Sequence, residues 1–76
     1  MVHAYVMVKT ATAASETIIE AARELSEITE VHIVAGDFDL IAEVEVEEVY
    51  DVLQAAASKL QSIEGVVETR TYIALE

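Results

Sequence analysis

Apolar residues fill most of Val2 to Lys9 (VHAYVMVK), with Val2, Ala4, Val6 and Val8 on one alternation set and His3, Tyr5, Met7 and Lys9 on the other. A strand apolar on both sides is expected to be central in a sheet and buried on both faces. Thr10 to Ala14 is a connector of small residues, Ser15 suits a helix N-cap, and Glu16 suits the first turn. Ile18, Ile19, Ala22 and Leu25 then recur at helical spacing, while Glu16, Glu20 and Glu24 run down the solvent side. Ile28 to Glu30 turns the chain into a strand, Val31 to Ala35, and Gly36-Asp37-Phe38-Asp39 turns it again. In the next strand, Leu40 to Val46, Leu40, Ala42, Val44 and Val46 alternate with Ile41, Glu43 and Glu45, giving one buried and one wetter face. Glu47 to Leu60 reads as a second amphipathic helix with Val49, Val52, Leu53, Ala56 and Leu60 inward. Gln61 to Gly65 is a loop, and Val66 to Leu75 is the last strand.

The order is strand, helix, strand, strand, helix, strand. An internal repeat supports it. Ala21-Ala22, Leu25, Ile28 and Val31 recur 35 residues later as Ala56-Ala57, Leu60, Ile63 and Val66, each copy running from the end of a helix into a strand. Two such halves are expected to fold together as an α+β, ferredoxin-like βαββαβ sandwich, with both helices on one face of a four-stranded antiparallel sheet. The other sheet face is then left without a cover, and more apolar surface is exposed there than a soluble monomer usually tolerates. A dimer stacked sheet on sheet is the expected remedy.

Composition sharpens this. Seventy-six residues, 54% of them hydrophobic, make one small domain (1–76) with a limited core, and the lack of cysteine removes disulfides and thiolate metal sites. Self-association is the remaining source of burial. Fifteen acidic residues against four basic ones, a formal net charge of −11, exclude direct nucleic-acid binding and attachment to anionic membranes. No stretch is long enough to span a membrane, and Met1-Val2-His3 has no basic leader, so a cytoplasmic location is expected. The acidity suits either a high-salt host or simple solubility.

The turn Gly36-Asp37-Phe38-Asp39 holds one of two glycines, the only phenylalanine and two of three aspartates. Together with Ala4-Tyr5-Val6-Met7-Val8, Gly65-Val66 and Thr69-Arg70-Thr71, it resembles the RAM domain, the regulatory module of the Lrp/AsnC (leucine-responsive, feast/famine) transcription regulators. In this family the pattern is a strand, G-[DE]-[YF]-D, an apolar strand, a helix, G-V and a last strand with T-x-T. Full-length regulators also carry an N-terminal helix-turn-helix domain. This chain starts at the first strand of the module, so it resembles the stand-alone RAM proteins and the DNA-binding activity does not carry over. The resemblance implies modules that dimerise through their sheets, dimers that join into larger rings, and amino acids or related effectors bound between dimers near the turn. Full-length regulators are implied as further partners.

The candidate ligand-binding residues are therefore Gly36, Asp37, Phe38, Asp39, Thr69 and Thr71. Gly36 is expected to take φ > 0 in a tight turn, and its missing side chain lets a ligand approach the backbone. Asp37 and Asp39 are turn formers that also suit an effector's ammonium group. Phe38 at a turn tip is expected to pack on a neighbouring subunit or an effector. Thr69 and Thr71 share a strand face, and the resemblance sets their hydroxyls beside the effector. Arg70 points the other way, with Tyr72, and reads first as a surface ion pair. His3 and His32 show no metal-ligand spacing, and the serines have no histidine partner, so no catalytic residue, metal or cofactor is expected. The implied function is a non-enzymatic effector-binding and oligomerisation module of transcription regulation. The alternatives are a purely structural assembly partner, or a small dimeric α/β-barrel enzyme (cofactor-free monooxygenase or isomerase) using His3 and Tyr5, which share a strand face.

Overall fold

The structure is a computed structural model that describes residues 1–12 and 16–75, with the backbone alone at Ala57. Strand β1 (Val2–Thr10) leads to helix α1 (Glu16–Arg23), then strands β2 (Ile28–Ile33) and β3 (Leu40–Val46). Helix α2 (Val49–Leu53) continues as a π-helical segment, Gln54–Leu60, and strand β4 (Val66–Ile73) ends the fold. The strands form one antiparallel sheet in the order β2-β3-β1-β4, with β1 central as its sequence implies. The Ser15 cap lies outside the described residues.

Alternation decides the core. Ala4, Val6 and Val8 of β1 and Leu40, Ala42 and Val44 of β3 are almost wholly buried beneath the helices, joined by Ile18, Ile19, Ala22, Val52, Ala55, Ala56 and Leu60. The opposite alternation set faces out. Its rows run His32–Ile41–Met7–Arg70 and Glu30–Glu43–Tyr5–Tyr72 across the four strands. This face is therefore open rather than buried, and its apolar middle (Ile41, Met7, Tyr5, Tyr72) is rimmed by charge. Tyr5 is 38% and Tyr72 52% exposed.

Several boundaries differ from the sequence reading. Ile28 already pairs with Val44, and the Glu45 N–H donates to the Glu27 carbonyl, so β2 begins three residues earlier than Val31. β2 ends at Ile33 because the Val34 N–H closes the turn onto the Asp39 carbonyl. β4 stops at Ile73, although the Ala74 N–H still reaches the His3 carbonyl at 2.8 Å. The second helix starts at Val49, and Val49 and Leu53, expected inward, are 50% and 52% exposed. The helix instead presents Val52, Ala55, Ala56 and Leu60 to the sheet. In its last turn the Gln61 N–H donates to the Ala56 carbonyl five residues back, a π-type bond. Val52, Ala55, Ala56 and Leu60 still make one buried stripe at i, i+3, i+4 and i+8.

Both glycines sit in turns, but only one needs to be glycine for backbone reasons. Gly65 has φ 102°, and the Val66 N–H donates to the Ile63 carbonyl across it, the pattern of a type II turn with its obligatory positive φ. A Cβ at Gly65 would stand 2.8 Å from Ile18 Cδ1. Gly36, expected to need positive φ, does not have it, and a Cβ there would meet nothing within 4 Å.

Candidate functional site

The turn between β2 and β3 is tied to the end of β1. The Asp39 N–H donates to the Val8 carbonyl at 2.9 Å, and Lys9 Nζ donates to the Asp37 carbonyl at 3.1 Å. The Asp39 carboxylate turns inward: its Oδ2 accepts from the Thr10 N–H at 2.9 Å and lies 3.0 Å from the Thr10 hydroxyl. Thr10 is the buried polar residue of the described core, so Asp39 closes the end of the β1 ladder where its pairing with β4 slips between Lys9 and Thr10.

These bonds have a pH consequence. The Thr10 N–H first, then the Thr10 hydroxyl and the Lys9 charge, hold the Asp39 carboxyl below its ordinary 3.8 against a smaller opposing effect of desolvation. Glu27 is held below its ordinary 4.5, chiefly by the hydrogen bond from Lys59, which ties the entry to β2 to the π-helical segment. A folded-state pKa below the unfolded one means that the stabilisation is complete above the ordinary carboxylate range and is lost as pH falls through the lowered values. The urea midpoint is expected to drop on acidification below about pH 4–5. Asp39→Asn together with Glu27→Gln is expected to flatten that dependence, and an unchanged acid slope in the double variant would count against these assignments.

The other turn residues face out. Phe38 is half-buried with the Arg70 guanidinium carbon 5.5 Å from its ring centroid, a cation–π contact worth about 0.5–1 kcal/mol. Arg70 also reaches Glu68 at 3.2 Å. Asp37 is exposed, and among the described residues its carboxylate makes no hydrogen bond or ion pair. Thus Lys9 and Arg70, half of the chain's four basic residues, gather beside an uncommitted aspartate and an unencumbered glycine. The surface ion pair expected of Arg70 is the one with Glu68, and its cross-strand pairing with Met7 also carries it to the turn.

Thr69 and Thr71 lie on the helix-covered side of β4, opposite Val8 and Val6, and Thr69 Oγ1 accepts from Gln61 Nε2 at 2.7 Å. Within one chain they share no face with Phe38 and Arg70. A shallow depression of about 480 Å³ runs along α1, lined by Glu16, Thr17, Glu20, Ala21 and Glu24, and includes no turn residue. Its three carboxylates would repel an anionic group.

The deciding observation is that residues 3–76 match the model of the Lrp/AsnC ligand binding domain. The chain belongs to the Lrp/AsnC ligand-binding domain family. The leucine-responsive regulatory protein of Haemophilus influenzae is 36% identical over 56 residues, covering 74% of this chain and 34% of the relative. The chain therefore spans about a third of the length of that curated Lrp relative. A crystal structure from Thermus thermophilus superposes with a TM-score of 0.92 at 30% identity, covering 100% of this chain and 95% of that one. A transcriptional regulator from Neisseria meningitidis, solved with L-Met, shares the fold at a TM-score of 0.86 and 17% identity, covering 99% of this chain and 50% of that one. The ferredoxin-like sandwich inferred from element order is thus the fold of Lrp/AsnC modules. This is a family of regulators' ligand-binding domains, not of enzymes, which sets aside the monooxygenase and isomerase readings. His3 and Tyr5 do meet, with rings 5.1 Å apart, on the open face. Among the described residues no helix is long and apolar enough to cross a membrane.

Proposed function

We propose that this Lrp/AsnC domain binds an amino-acid effector at the Gly36–Asp39 turn, in a cleft completed by a neighbouring copy, and transmits its occupancy through assembly rather than through DNA contacts of its own. The observation that carries this reading is Gly36. Its φ is not positive and space is open where a Cβ would stand, so the backbone does not demand glycine there. A close approach by another group is what the missing side chain would serve. Asp37 is then available to an ammonium group, and Lys9 and Arg70 to a carboxylate. Thr69 and Thr71 join such a site only from the opposite side of the sheet, so their part in it depends on how the copies pack. Stacking of two sheets across Tyr5, Met7, Ile41 and Tyr72 would cover the open face, and larger assemblies of dimers, or mixed ones with full-length regulators, follow the same logic.

A thermal-shift screen of the free amino acids, methionine among the first, tests this. A ligand at 100 times its Kd adds about 2.7 kcal/mol, which for a domain of this size raises Tm by roughly 10–20 °C. Gly36→Ala and Asp37→Ala are each expected to abolish the shift while leaving the unliganded stability within about 0.5 kcal/mol of wild type. Failure of every amino acid to shift Tm would leave assembly alone as the domain's role, and a full response from both variants would move the effector site away from this turn.

A further inference from the structure

Five titratable side chains alternate along one end of the open sheet face: Glu30, His32, Glu43, His3 and Glu45. His32 Nε2 stands 3.1 Å from Glu30 Oε1 and 3.0 Å from Glu43 Oε2. Glu43 Oε1 lies 3.3 Å from His3 Nε2, and His3 Nδ1 lies 3.3 Å from Glu45 Oε2. A single imidazole nitrogen holds at most one hydrogen, which cannot be aimed well at two carboxylate oxygens at once. The sheet register also sets Glu30 directly opposite Glu43, at the irregularity between Ile28 and Glu30. Like charges facing each other across strands are destabilising, and this pair occurs in a chain that already carries a net charge of −11. Both features call for a positive charge among these three groups.

Their geometry suits a metal ion. One ligand atom from each of Glu30, His32 and Glu43 falls within 4.8 Å of the others. A tetrahedral ion held at about 2.0–2.1 Å by nitrogen and oxygen has ligand atoms about 3.3 Å apart, close to the two spacings around His32 Nε2. We propose that Glu30, His32 and Glu43 bind a divalent transition metal of the zinc class, with His3 as the positioning residue that holds the Glu43 carboxylate. The imidazole favours Zn²⁺, Co²⁺ or Ni²⁺ over Mg²⁺ and Ca²⁺, which prefer all-oxygen sites. In the single chain the His32 side chain is 49% exposed, so an ion can enter and keep a coordination position open before two sheets stack over this face. The site shares no residue with the Gly36–Asp39 turn. Sequence spacing hid it because its ligands and their support lie on β2, β3 and β1, and no pair has the helical spacing of familiar motifs.

The test is calorimetric titration of EDTA-stripped protein with ZnCl₂, with CoCl₂ as the spectroscopic probe. One Zn²⁺ per chain is expected, retained against excess Mg²⁺, with a Co²⁺ ligand-field spectrum that Zn²⁺ abolishes. His32→Gln and Glu43→Gln should each lower Zn²⁺ affinity roughly tenfold or more, and His3→Gln about tenfold. Glu20→Gln with Glu24→Gln, on the acidic outer side of α1, should leave binding unchanged. Melting curves of the metal-free variants show whether each is folded, and the two independent ligand substitutions guard against loss of any one. The proposal is overturned if wild type takes up no Zn²⁺, if it takes several ions that Mg²⁺ displaces, or if His32→Gln and Glu43→Gln both bind as wild type.

Discussion

Replacing Gly65 with alanine is expected to destabilise the domain by about 2–3 kcal/mol and to lower its Tm by roughly 10–20 °C. Two effects combine. A non-glycine residue held at the observed φ of 102° costs about 1–3 kcal/mol by itself. The new methyl would also stand 2.8 Å from Ile18 Cδ1, inside contact distance. That atom is the end of a side chain and can shift, but Ile18 is only 6% exposed, so its movement disturbs the packing of α1 on the sheet. Turn and contact also hold the chain in place, since the Ala11 N–H donates to the Gly65 carbonyl at 2.8 Å. For 76 residues a total stability of roughly 4–11 kcal/mol is ordinary, so the loss is a large share of it. Urea unfolding measures it, and an Ile18→Val background separates the two effects: removing Cδ1 should relieve the contact but leave the cost of the backbone. A Gly65→Ala variant as stable as wild type would mean the turn relaxes to another conformation. The same substitution at Gly36, where space is open and φ is not positive, is expected to cost almost nothing, and this contrast is what frees Gly36 for a functional reading.

Leu60→Ala is expected to be costlier still, about 2–5 kcal/mol, because Leu60 is 1% exposed and the surrounding sheet cannot close over the space it leaves. Ala55 and Ala56, buried on the same stripe, have no bulk to move into the gap. Leu53→Ala, seven residues earlier on the same helical run, is the control: a side chain 52% exposed should lose under about 1 kcal/mol in the isolated chain. The two values are read from urea midpoints at constant slope. Equal losses at the two positions would contradict the orientation of this helix. A much larger loss at Leu53 in a concentrated sample than in a dilute one would instead show that another copy covers it.

How legible the chain was depended on the range of the physics involved. The element order, the central place of β1 and the buried set of β3 followed from the apolar pattern, but β1 is apolar in both alternation sets, so which of its sides lies under the helices did not. The helix partner was legible in part. Val52, Ala56 and Leu60 stood out, but Ala55 did not: it lies on the same i, i+3, i+4, i+8 stripe, and the larger Leu53 was placed inward in its stead. Gly36 was noticed for the backbone reason that belongs to Gly65. The turn was found, yet the inward bond of Asp39 to Thr10 and the approach of Arg70 to Phe38 were not, since each joins residues about thirty apart through the register of β1 with its neighbours.

By itself, the sequence determined the order of elements, the buried side of β3, the acidic surface and the family resemblance, all of which are local or additive along the chain. Only the tertiary structure decided which chemistry-bearing side chains meet. It turned Asp39 into the sheet and left Asp37 outside, put Thr69 and Thr71 under the helices, and gathered Glu30, His32, Glu43 and His3 on the open face. The reason is register. Alternation tells a strand which face is inward, but bulges and turn closures set how far it slides along its neighbours, and that offset chooses every cross-strand partner.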